Sequence, residues 1–120
     1  MAKIASPKRG DVFLVNFDPT IGAEIKKTRP ALIIQNDVAN QHSPITIVAA
    51  ITSKFDDKLY PTEVLIGAGE GGLTKDSVIL LNQVRSIDRR RLVKKLGKIK
   101  EATLKRTNVS IKISLGLIDM

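Results

Sequence analysis

Arg29 and Thr52 are the two residues of this sequence whose types and positions best suit chemistry on a phosphate ester. A basic segment, residues 26–29, runs directly into the apolar residues 30–35, and a second apolar run, residues 45–51, ends in Thr52. If these two runs form neighbouring strands, the cation that begins one strand meets the hydroxyl that ends the other. A guanidinium held beside a hydroxyl donor is well suited to binding phosphate oxygens.

Composition excludes several other chemistries. The chain has no cysteine, which rules out disulfides, thiolate metal sites and a cysteine nucleophile. His42 is the single histidine, and its polar surroundings predict an exposed loop, so we interpret it as a surface residue and not as a catalytic base. The carboxylates are scattered, and the glycines between 67 and 72 lack the lysine and helix of a P-loop. We therefore expect a site that works without metal, cofactor or histidine.

The positive charge of the chain is concentrated in its last third. Residues 1–84 carry nine basic and nine acidic side chains, whereas residues 85–120 carry eleven basic and three acidic ones, which accounts for the net charge of +8. A basic surface on one side suits a polyanion, either a nucleic acid or an acidic protein. A solvated basic face without a ligand is the alternative interpretation.

The length and the N-terminal sequence indicate one intracellular domain. The 120 residues, 42% of them hydrophobic, are enough for a single domain with its own core, residues 1–120. The first nine residues lack the apolar region of a signal peptide, and no apolar run is long enough to span a membrane. The absence of cysteine is compatible with the cytoplasm, and we expect a soluble cytoplasmic protein.

Short strands separated by Gly, Pro and Asn account for most of the chain. The apolar patterns predict strands over residues 12–17, 30–35, 45–52, 61–66, 77–81 and 84–87, with a last one within 92–99. Residues 36–44 and 53–60 are predicted loops, and Asn82-Gln83 is the predicted joint between two of the strands. Asp88 is expected to cap one helical turn over residues 89–91. The pattern favours a small, mostly antiparallel barrel with Pro30 beginning a central strand.

The C-terminal segment fits two structures. Val109, Ile111, Ile113, Leu115 and Leu117 alternate with polar residues or glycine, which is typical of a strand. A helix beginning near residue 101 would instead align four apolar side chains on one stripe. These are Leu104, Ile111, Leu115 and Ile118. Periodicity alone leaves both structures open.

Five segments spread over nearly the whole chain form a more specific pattern. They are residues 9–12 (Arg-Gly-Asp-Val), 17–24 (Phe-Asp-Pro-Thr-Ile-Gly-Ala-Glu), 28–37 (Thr-Arg-Pro-Ala-Leu-Ile-Ile-Gln-Asn-Asp), 49–52 (Ala-Ala-Ile-Thr) and 76–88 (Asp-Ser-Val-Ile-Leu-Leu-Asn-Gln-Val-Arg-Ser-Ile-Asp). In this order and spacing they resemble the MazF/PemK family of toxins from bacterial toxin–antitoxin systems.

The resemblance implies both a fold and an activity. The implied fold is mainly β, an SH3-like small barrel with short helices, and it favours a helix at the C-terminus. The implied activity is that of a homodimeric, sequence-specific endoribonuclease. Such an enzyme cuts single-stranded mRNA without a metal and leaves a 2′,3′-cyclic phosphate and a 5′-hydroxyl. The implied protein partner is an antitoxin with an acidic segment.

The resemblance also assigns roles to individual residues. The catalytic arginine and threonine of the family fall on Arg29 and Thr52, and the acidic residue of the first loop falls on Glu24. The loop departs from the family pattern, which places a serine before that glutamate and a glycine shortly before the arginine. Here Ala23 and residues 25–28 stand at those places, and a loop with lysines instead of glycine is stiffer and more basic.

RNA bases are expected to contact side chains near the strand ends, because single-stranded RNA is read through unpaired bases. The candidates are Asn36, Ser77 and Gln83, together with Phe17 as a stacking surface. Each of the three polar residues could equally be an ordinary turn residue, and Phe17 could equally be a core residue. The basic run at residues 85–98 is expected to follow the RNA backbone or to hold the acidic antitoxin.

Two other functions are compatible with the same pattern. A non-catalytic toxin of this fold that poisons a DNA topoisomerase would not need Arg29 and Thr52 in this arrangement. A plain RNA-binding barrel would bind without turnover, but the aromatic fraction of 3% leaves few side chains on which bases could stack.

Overall fold

One six-stranded antiparallel sheet carries the fold of the computed structural model, which describes residues 6–17 and 28–120. The strands are β1 (Asp11–Asn16), β2 (Thr28–Ile33), β3 (Ile45–Thr52), β4 (Glu63–Ile66), β5 (Ser77–Asp88) and β6 (Leu92–Lys98), and they lie in the order β4-β5-β3-β2-β1-β6. Two helices, α1 (Asp37–His42) and α2 (Glu101–Ser114), and two 3₁₀ turns, Glu70–Gly72 and Arg89–Arg91, complete the described chain.

The strand that carries Arg29 is interior, as the continuous apolar run predicts. β2 lies between β1 and β3, and Ala31, Leu32 and Ile33 are fully buried. The strand begins at Thr28, so Pro30 is its third residue and not its first. The pairing of β2 with β3 starts only at Ala31, and Pro30 therefore stands outside the paired part of these two strands.

The predicted loop at residues 36–44 is wrong, because residues Asp37–His42 form α1. Asn36 caps this helix by accepting a hydrogen bond from the backbone N–H of Ala39 at 2.9 Å. Asn40, which is only 1% exposed, accepts hydrogen bonds from Gln35 Nε2 at 3.0 Å and from Thr46 Oγ1 at 2.8 Å. Asn and Asp favour turns locally, but this buried network, formed with residues outside the helix, holds them in a helix.

The predicted division of residues 77–87 into two strands is also wrong in part. β5 is one strand of twelve residues, but its register against β3 changes where the joint was predicted. Ala49 pairs with Val84 and Ile51 pairs with Ile79, so β5 advances five residues while β3 advances two, a shift of three. Asn82-Gln83 therefore marks a bulge inside a continuous strand, and bulges bend a strand and redirect its side chains.

Two apolar clusters, with Val, Ile and Leu as the main residues, form the core. The larger one includes Val12, Leu32, Ala49, Ile51, Val64, Ile66, Leu73, Ile79, Leu81 and Ile99. The smaller one includes Phe13, Val15, Ala31, Ile33, Val48, Ile87 and Leu92, with Phe17 packed against it. Since successive side chains of a strand point to opposite faces, the clusters lie on the two faces of the sheet.

The glycine-rich turn that follows β4 contacts β6, at the opposite edge of the sheet. Gly72 has φ +74°, and a Cβ at this position would collide with the carbonyl group of Leu96. A Cβ at Gly97 would likewise come too close to the backbone of Gly71. The two edge strands are thus linked through this turn, which accounts for the barrel-like shape, as predicted by the resemblance to the MazF/PemK fold.

The C-terminal segment is the helix α2, which settles the ambiguity of its sequence pattern. Its buried residues are Thr103, Thr107 and Ser110, and Ser110 donates a hydrogen bond to the Pro61 carbonyl at 2.7 Å. Leu104 and Ile111 pack against the larger cluster. The other two members of the predicted stripe, Leu115 and Ile118, lie beyond the helix and are 64% and 44% exposed.

Three other predicted strands are present with shifted bounds: β1 and β2 lie one and two residues earlier than predicted, and β4 begins at Glu63 instead of residue 61. β3 has the predicted bounds, and Asp88 caps the turn Arg89–Arg91 by accepting a hydrogen bond from the backbone N–H of Arg90 at 2.8 Å. Neither helix of the described residues has the length and apolar character needed to cross a membrane.

Candidate functional site

Arg29 and Thr52 come together because of the register between β2 and β3. Ala31 pairs with Ala50, and the register continued by two residues places Arg29 opposite Thr52. Both residues are half-buried and line one cavity of about 260 Å³ at the rim of the sheet. The sequence prediction that neighbouring strands unite this cation and this hydroxyl is therefore confirmed as a matter of position, while their catalytic roles stay predictions.

The lining of this first cavity is cationic and rich in hydroxyl groups. Its polar side chains are Arg29, Thr52, Ser53, Lys54, Thr74, Lys75 and Ser77, and its apolar ones are Pro30, Ile51 and Leu73. No described carboxylate lines it. Among the described residues, Arg29 forms no ion pair, so none of those side chains neutralises its charge. Such a lining suits a phosphate group.

Hydrogen bonds of two hydroxyls fix the backbone around the first cavity. Thr52 Oγ1 accepts a hydrogen bond from the Lys54 backbone N–H at 3.1 Å. The same hydroxyl donates a longer hydrogen bond to the Lys54 carbonyl oxygen at 3.3 Å. Ser77 Oγ, in a residue only 4% exposed, donates to the Lys75 carbonyl at 2.9 Å. The hydrogen bond that Thr52 donates is therefore long, and a ligand oxygen could replace its acceptor. The hydrogen bond that Ser77 donates is shorter.

A second cavity of about 230 Å³ lies on the other side of Arg29. It is lined by Phe17, Arg29, Ala50, Gln83, Val84 and Arg85. Gln83 lies in the bulge of β5, which faces the stretch of β3 around Ala50. The pairing of β3 with β2 ends at the same residue, Ala50. A cavity with an aromatic ring, apolar side chains and one amide has the chemistry to hold a nucleobase.

Arg85 is the residue of this cavity that sequence reasoning assigned only to the general basic run. Its guanidinium carbon lies 5.2 Å from the centre of the Phe17 ring, in a cation–π contact. The signal that could have found it is its position two residues after Gln83, which places both side chains on the same face of an extended strand beyond the bulge. Arg29 lies between the two cavities and borders both of them.

The structure does not bring every candidate to this site. Asn36 follows the opposite end of β2, roughly 20 Å from Arg29 by the rise of an extended chain, and its side chain caps α1. His42 is exposed in the last turn of the same helix, so it lies in a helix and not in the predicted loop. Glu24 and residues 26–27 lie outside the described residues. As contacts to RNA or as catalytic groups, Asn36 and Glu24 stay predictions.

Two pKa shifts occur in the basic run, and both belong to the pair Asp88 and Arg90: the pKa of Asp88 is lowered and that of Arg90 is raised, chiefly by their side-chain hydrogen bond. Asp88 Oδ1 and Oδ2 accept hydrogen bonds from Arg90 Nε and Nη2, each at 3.0 Å, and Oδ1 also accepts from the Arg90 backbone N–H. The side-chain hydrogen bond is the largest cause that lowers the pKa of Asp88, followed by the backbone one. This carboxylate stabilises the turn that begins β6.

No group of three or more His, Asp or Glu side chains that could hold a metal ion occurs among residues 6–17 and 28–120. The residues that line the two cavities are cationic, hydroxylic or apolar, and Gln83 supplies the single amide. The donors available at this site therefore suit an anion and a base more than a cation.

Comparison with known proteins identifies the family of this chain. Residues 8–115 match the family described as PemK-like, MazF-like toxin of type II toxin-antitoxin system. The chain is 44% identical over 112 residues to endoribonuclease EndoA of Bacillus subtilis strain 168, covering 93% of this chain and 97% of that protein. It is 46% identical over 110 residues to endoribonuclease MazF of Staphylococcus saprophyticus, covering 92% of each.

A solved structure has a fold similar to that of this chain. The crystal structure of MazE-MazF (Form-II) from Deinococcus radiodurans contains a chain that is 27% identical and superposes with a TM-score of 0.80, covering 96% of this chain and all of that one. The match to the family extends over most of the sequence and includes both residues at the centre of the site, Arg29 and Thr52. The chain belongs to the PemK/MazF family of toxins of type II toxin–antitoxin systems.

Proposed function

We propose that this toxin cleaves single-stranded mRNA at specific sequences, with Arg29 and Thr52 acting on the scissile phosphate. Two curated endoribonucleases at 44% and 46% identity, each matched over more than nine-tenths of this chain, make the protein an endoribonuclease toxin. The observation that carries the site assignment is the shared cavity of Arg29 and Thr52, which has cations and hydroxyls and no described carboxylate in its lining.

The reaction is a transesterification within the RNA. The 2′-oxygen of one nucleotide attacks its own 3′-phosphorus, and the 2′-proton leaves to a base. The bond from phosphorus to the 5′-oxygen then breaks, and that oxygen takes a proton. The products are a 2′,3′-cyclic phosphate and a 5′-hydroxyl, so no water, oxidant or metal ion enters the balance of the step.

Arg29 stabilises the charge that builds up on phosphorus oxygens in the transition state. Its planar guanidinium offers two parallel N–H donors and stays charged at neutral pH. Thr52 adds a hydroxyl donor once it gives up the 3.3 Å contact with the Lys54 carbonyl. Donors aimed at developing negative charge contribute a large share of catalysis in such sites.

Proton transfer falls to groups other than Arg29. A guanidinium scarcely loses its proton at neutral pH, so we assign Arg29 to charge stabilisation and positioning. Glu24 is our candidate for the base that takes the 2′-proton, with water or the phosphate itself as the other routes. The expected activity therefore needs no histidine and no bound metal.

Base selection is assigned to the second cavity. Phe17 provides a ring for stacking, and Gln83 provides an amide that both donates and accepts hydrogen bonds. Ser77 lines the first cavity, beside the phosphate. Since Arg29 borders both cavities, a base in the second one lies next to the scissile phosphate in the first.

The toxin family implies an antitoxin partner, and we propose that it is an acidic segment that covers the same cations. We also propose a homodimer, acting in the cytoplasm where mRNA is found. The dimer is supported by apolar side chains that α2 and the end of the described chain leave exposed, such as Leu115, Leu117 and Met120 at 64%, 69% and 87%. Sedimentation equilibrium would test it, and a monomer at micromolar concentration would contradict it.

The proposed activity is tested by mapping cuts in long single-stranded RNA incubated with the protein in excess chelator. We expect new 5′-hydroxyl ends at one recurring sequence and 2′,3′-cyclic phosphate on the upstream fragments. Intact RNA, or cleavage that requires a divalent cation, would contradict the proposal. Intact RNA with broken DNA in arrested cells would instead favour a topoisomerase poison.

A further inference from the structure

The first cavity contains more positive charge than the scissile phosphate requires. Arg29, Lys54 and Lys75 all line it, together with the hydroxyls of Thr52 and Ser77. In the ground state a phosphodiester carries one negative charge, which the single charge of Arg29 balances. If Arg29 serves the scissile group, the two lysines are left for another anion.

The two lysines lie just beyond the ends of two adjacent strands, β3 and β5, at the same rim of the sheet. Thr52, at the end of β3, pairs with Val78, the second residue of β5. Lys54 comes two residues after the end of β3, and Lys75 comes two residues before Ser77, the start of β5. The antiparallel register thus places both lysines beside each other where the sheet ends.

Hydroxyl groups hold the backbone of both lysines in place. Thr52 Oγ1 contacts the Lys54 backbone N–H at 3.1 Å, and Ser77 Oγ contacts the Lys75 carbonyl at 2.9 Å. The Thr52 hydroxyl accepts from the backbone of Lys54 and the Ser77 hydroxyl donates to the backbone of Lys75, so each hydroxyl fixes the backbone of a lysine that lines the cavity.

The charges of the two lysines are not neutralised by described acidic residues. The ion pairs found in the described part of the chain are Arg90–Asp88 and Lys95–Asp11. Asp76, the acid that follows Lys75, is turned away, and its Oδ1 accepts a hydrogen bond from the Ala68 backbone N–H at 2.8 Å.

We propose that Lys54 and Lys75 form a second phosphate subsite, which binds the RNA phosphate next to the scissile one. This inference rests on the proposed function, because it takes Arg29 as the ligand of the scissile phosphate. The subsite positions the RNA backbone and takes no part in proton transfer. The nucleotide that links the two phosphates is thereby anchored at both of its ends.

The test measures the salt dependence of binding with a 2′-O-methyl oligonucleotide, which has no nucleophile and cannot be cut. For single strands, the logarithm of the affinity falls with the logarithm of salt concentration by about 0.7 for each phosphate neutralised. The double variant Lys54→Gln/Lys75→Gln is expected to reduce this slope by about 0.7 between roughly 50 and 200 mM salt. Lys54→Arg/Lys75→Arg is expected to keep the slope of the unchanged protein.

The matched control is Lys58→Gln/Lys105→Gln, which removes the same charge from two exposed lysines outside the cavity. If the control and the cavity variant change the slope equally, only net charge matters and the subsite is refuted. The subsite is also refuted if the cavity variant binds RNA like the unchanged protein but loses binding to a short polyglutamate peptide, since the lysines would then serve an acidic protein.

Failure of this subsite is distinguishable from failure of the proposed function. If the protein cleaves RNA at mapped sites but the cavity variant has the same salt-dependence slope as the unchanged protein, only the lysine subsite is refuted. A protein that leaves RNA intact loses the proposed function and, with it, this inference.

Discussion

Arg29 lies opposite Thr52 in the register that pairs Ala31 with Ala50, and this relationship between two adjacent strands creates the site. The ladder between β2 and β3 ends one residue after Pro30, so the two side chains lie just beyond the paired part of these two strands. Arg29 also borders the second cavity, where Gln83 and Phe17 lie. One arginine thereby borders both the cavity proposed to bind the phosphate and the cavity proposed to bind the base.

Removal of the Thr52 hydroxyl should slow cleavage without unfolding the protein. Thr52→Val keeps the shape of the side chain and is expected to lower the single-turnover rate by about 10- to 100-fold, because one donor to the transition state is lost. The same change should alter the free energy of unfolding by less than about 1 kcal/mol, since the turn is exposed. Thr52→Ser should retain most of the rate, and a fully active Thr52→Val would remove this residue from the site.

Gln83 should determine which base is accepted. Gln83→Leu is expected to lower the preference for the cognate base roughly tenfold, the value of one hydrogen bond of about 1–1.5 kcal/mol. The matched control is Asn82→Leu, its exposed neighbour in the same bulge, which does not line the cavity. Sequencing of the cut ends measures both variants, and an unchanged pattern for Gln83→Leu would assign selectivity elsewhere.

Phe17 should contribute binding energy through stacking. Phe17→Leu retains an apolar contact with the core cluster but removes the ring, and base–aromatic stacking is worth about 1–3 kcal/mol. The expected result is a rise in KM of roughly tenfold or more with little change in kcat. Phe17→Tyr should restore KM, whereas a fall in kcat alone would show that the ring serves the fold or the chemistry and not binding.

The buried Asn40 should be important for stability rather than for cleavage. Asn40→Ala leaves the Gln35 amide and the Thr46 hydroxyl without their shared acceptor, and unpaired buried groups of this kind cost about 3 kcal/mol. Thermal unfolding is expected about 10 °C lower. Gln41→Ala, at the exposed neighbour in α1, should leave the melting temperature nearly unchanged, and equal effects would contradict the role of the network.

The carboxyl of Asp88 should titrate at unusually low pH, because hydrogen bonds from Arg90 lower its pKa. A lowered pKa in the folded protein stabilises the fold above the ordinary carboxyl pKa, and this contribution disappears as pH falls through the lowered value. The turn Arg89–Arg91 should therefore lose this contribution only as the pH falls below the ordinary carboxyl pKa. An NMR titration measures the pKa, which Arg90→Ala should raise towards its ordinary value; no change would contradict the assigned cause.

The parts of the fold that sequence predicted correctly are those fixed by local signals. The continuous apolar run of β3 and the Asp before three arginines each specify their structure within a few residues. The two larger errors arise where contacts with residues outside the segment decide its structure. Gln35 and Thr46 hold residues 37–42 as a helix, and β3 holds residues 77–88 in one strand despite a three-residue change of register.

The candidate site was predictable to the extent that it follows from strand order and register. Arg29 and Thr52 could be placed together because each lies at the end of an apolar run. The spacing of Arg85 from Gln83 indicates a shared face of the strand, but the contact of Arg85 with Phe17 depends on the bulge in β5, which the sequence pattern did not predict. Asn36 has the chemistry of an RNA ligand, but the observed contact of its side chain is the cap of α1.

The most direct test of the central claim is the single-turnover cleavage rate of Arg29→Ala on an RNA that carries one mapped site, in excess chelator. We predict a rate about 10²–10³-fold below that of the unchanged protein, with the same circular dichroism spectrum and a normal rate for Lys105→Ala as the control. A folded Arg29→Ala that cuts the same site at the full rate would contradict the account.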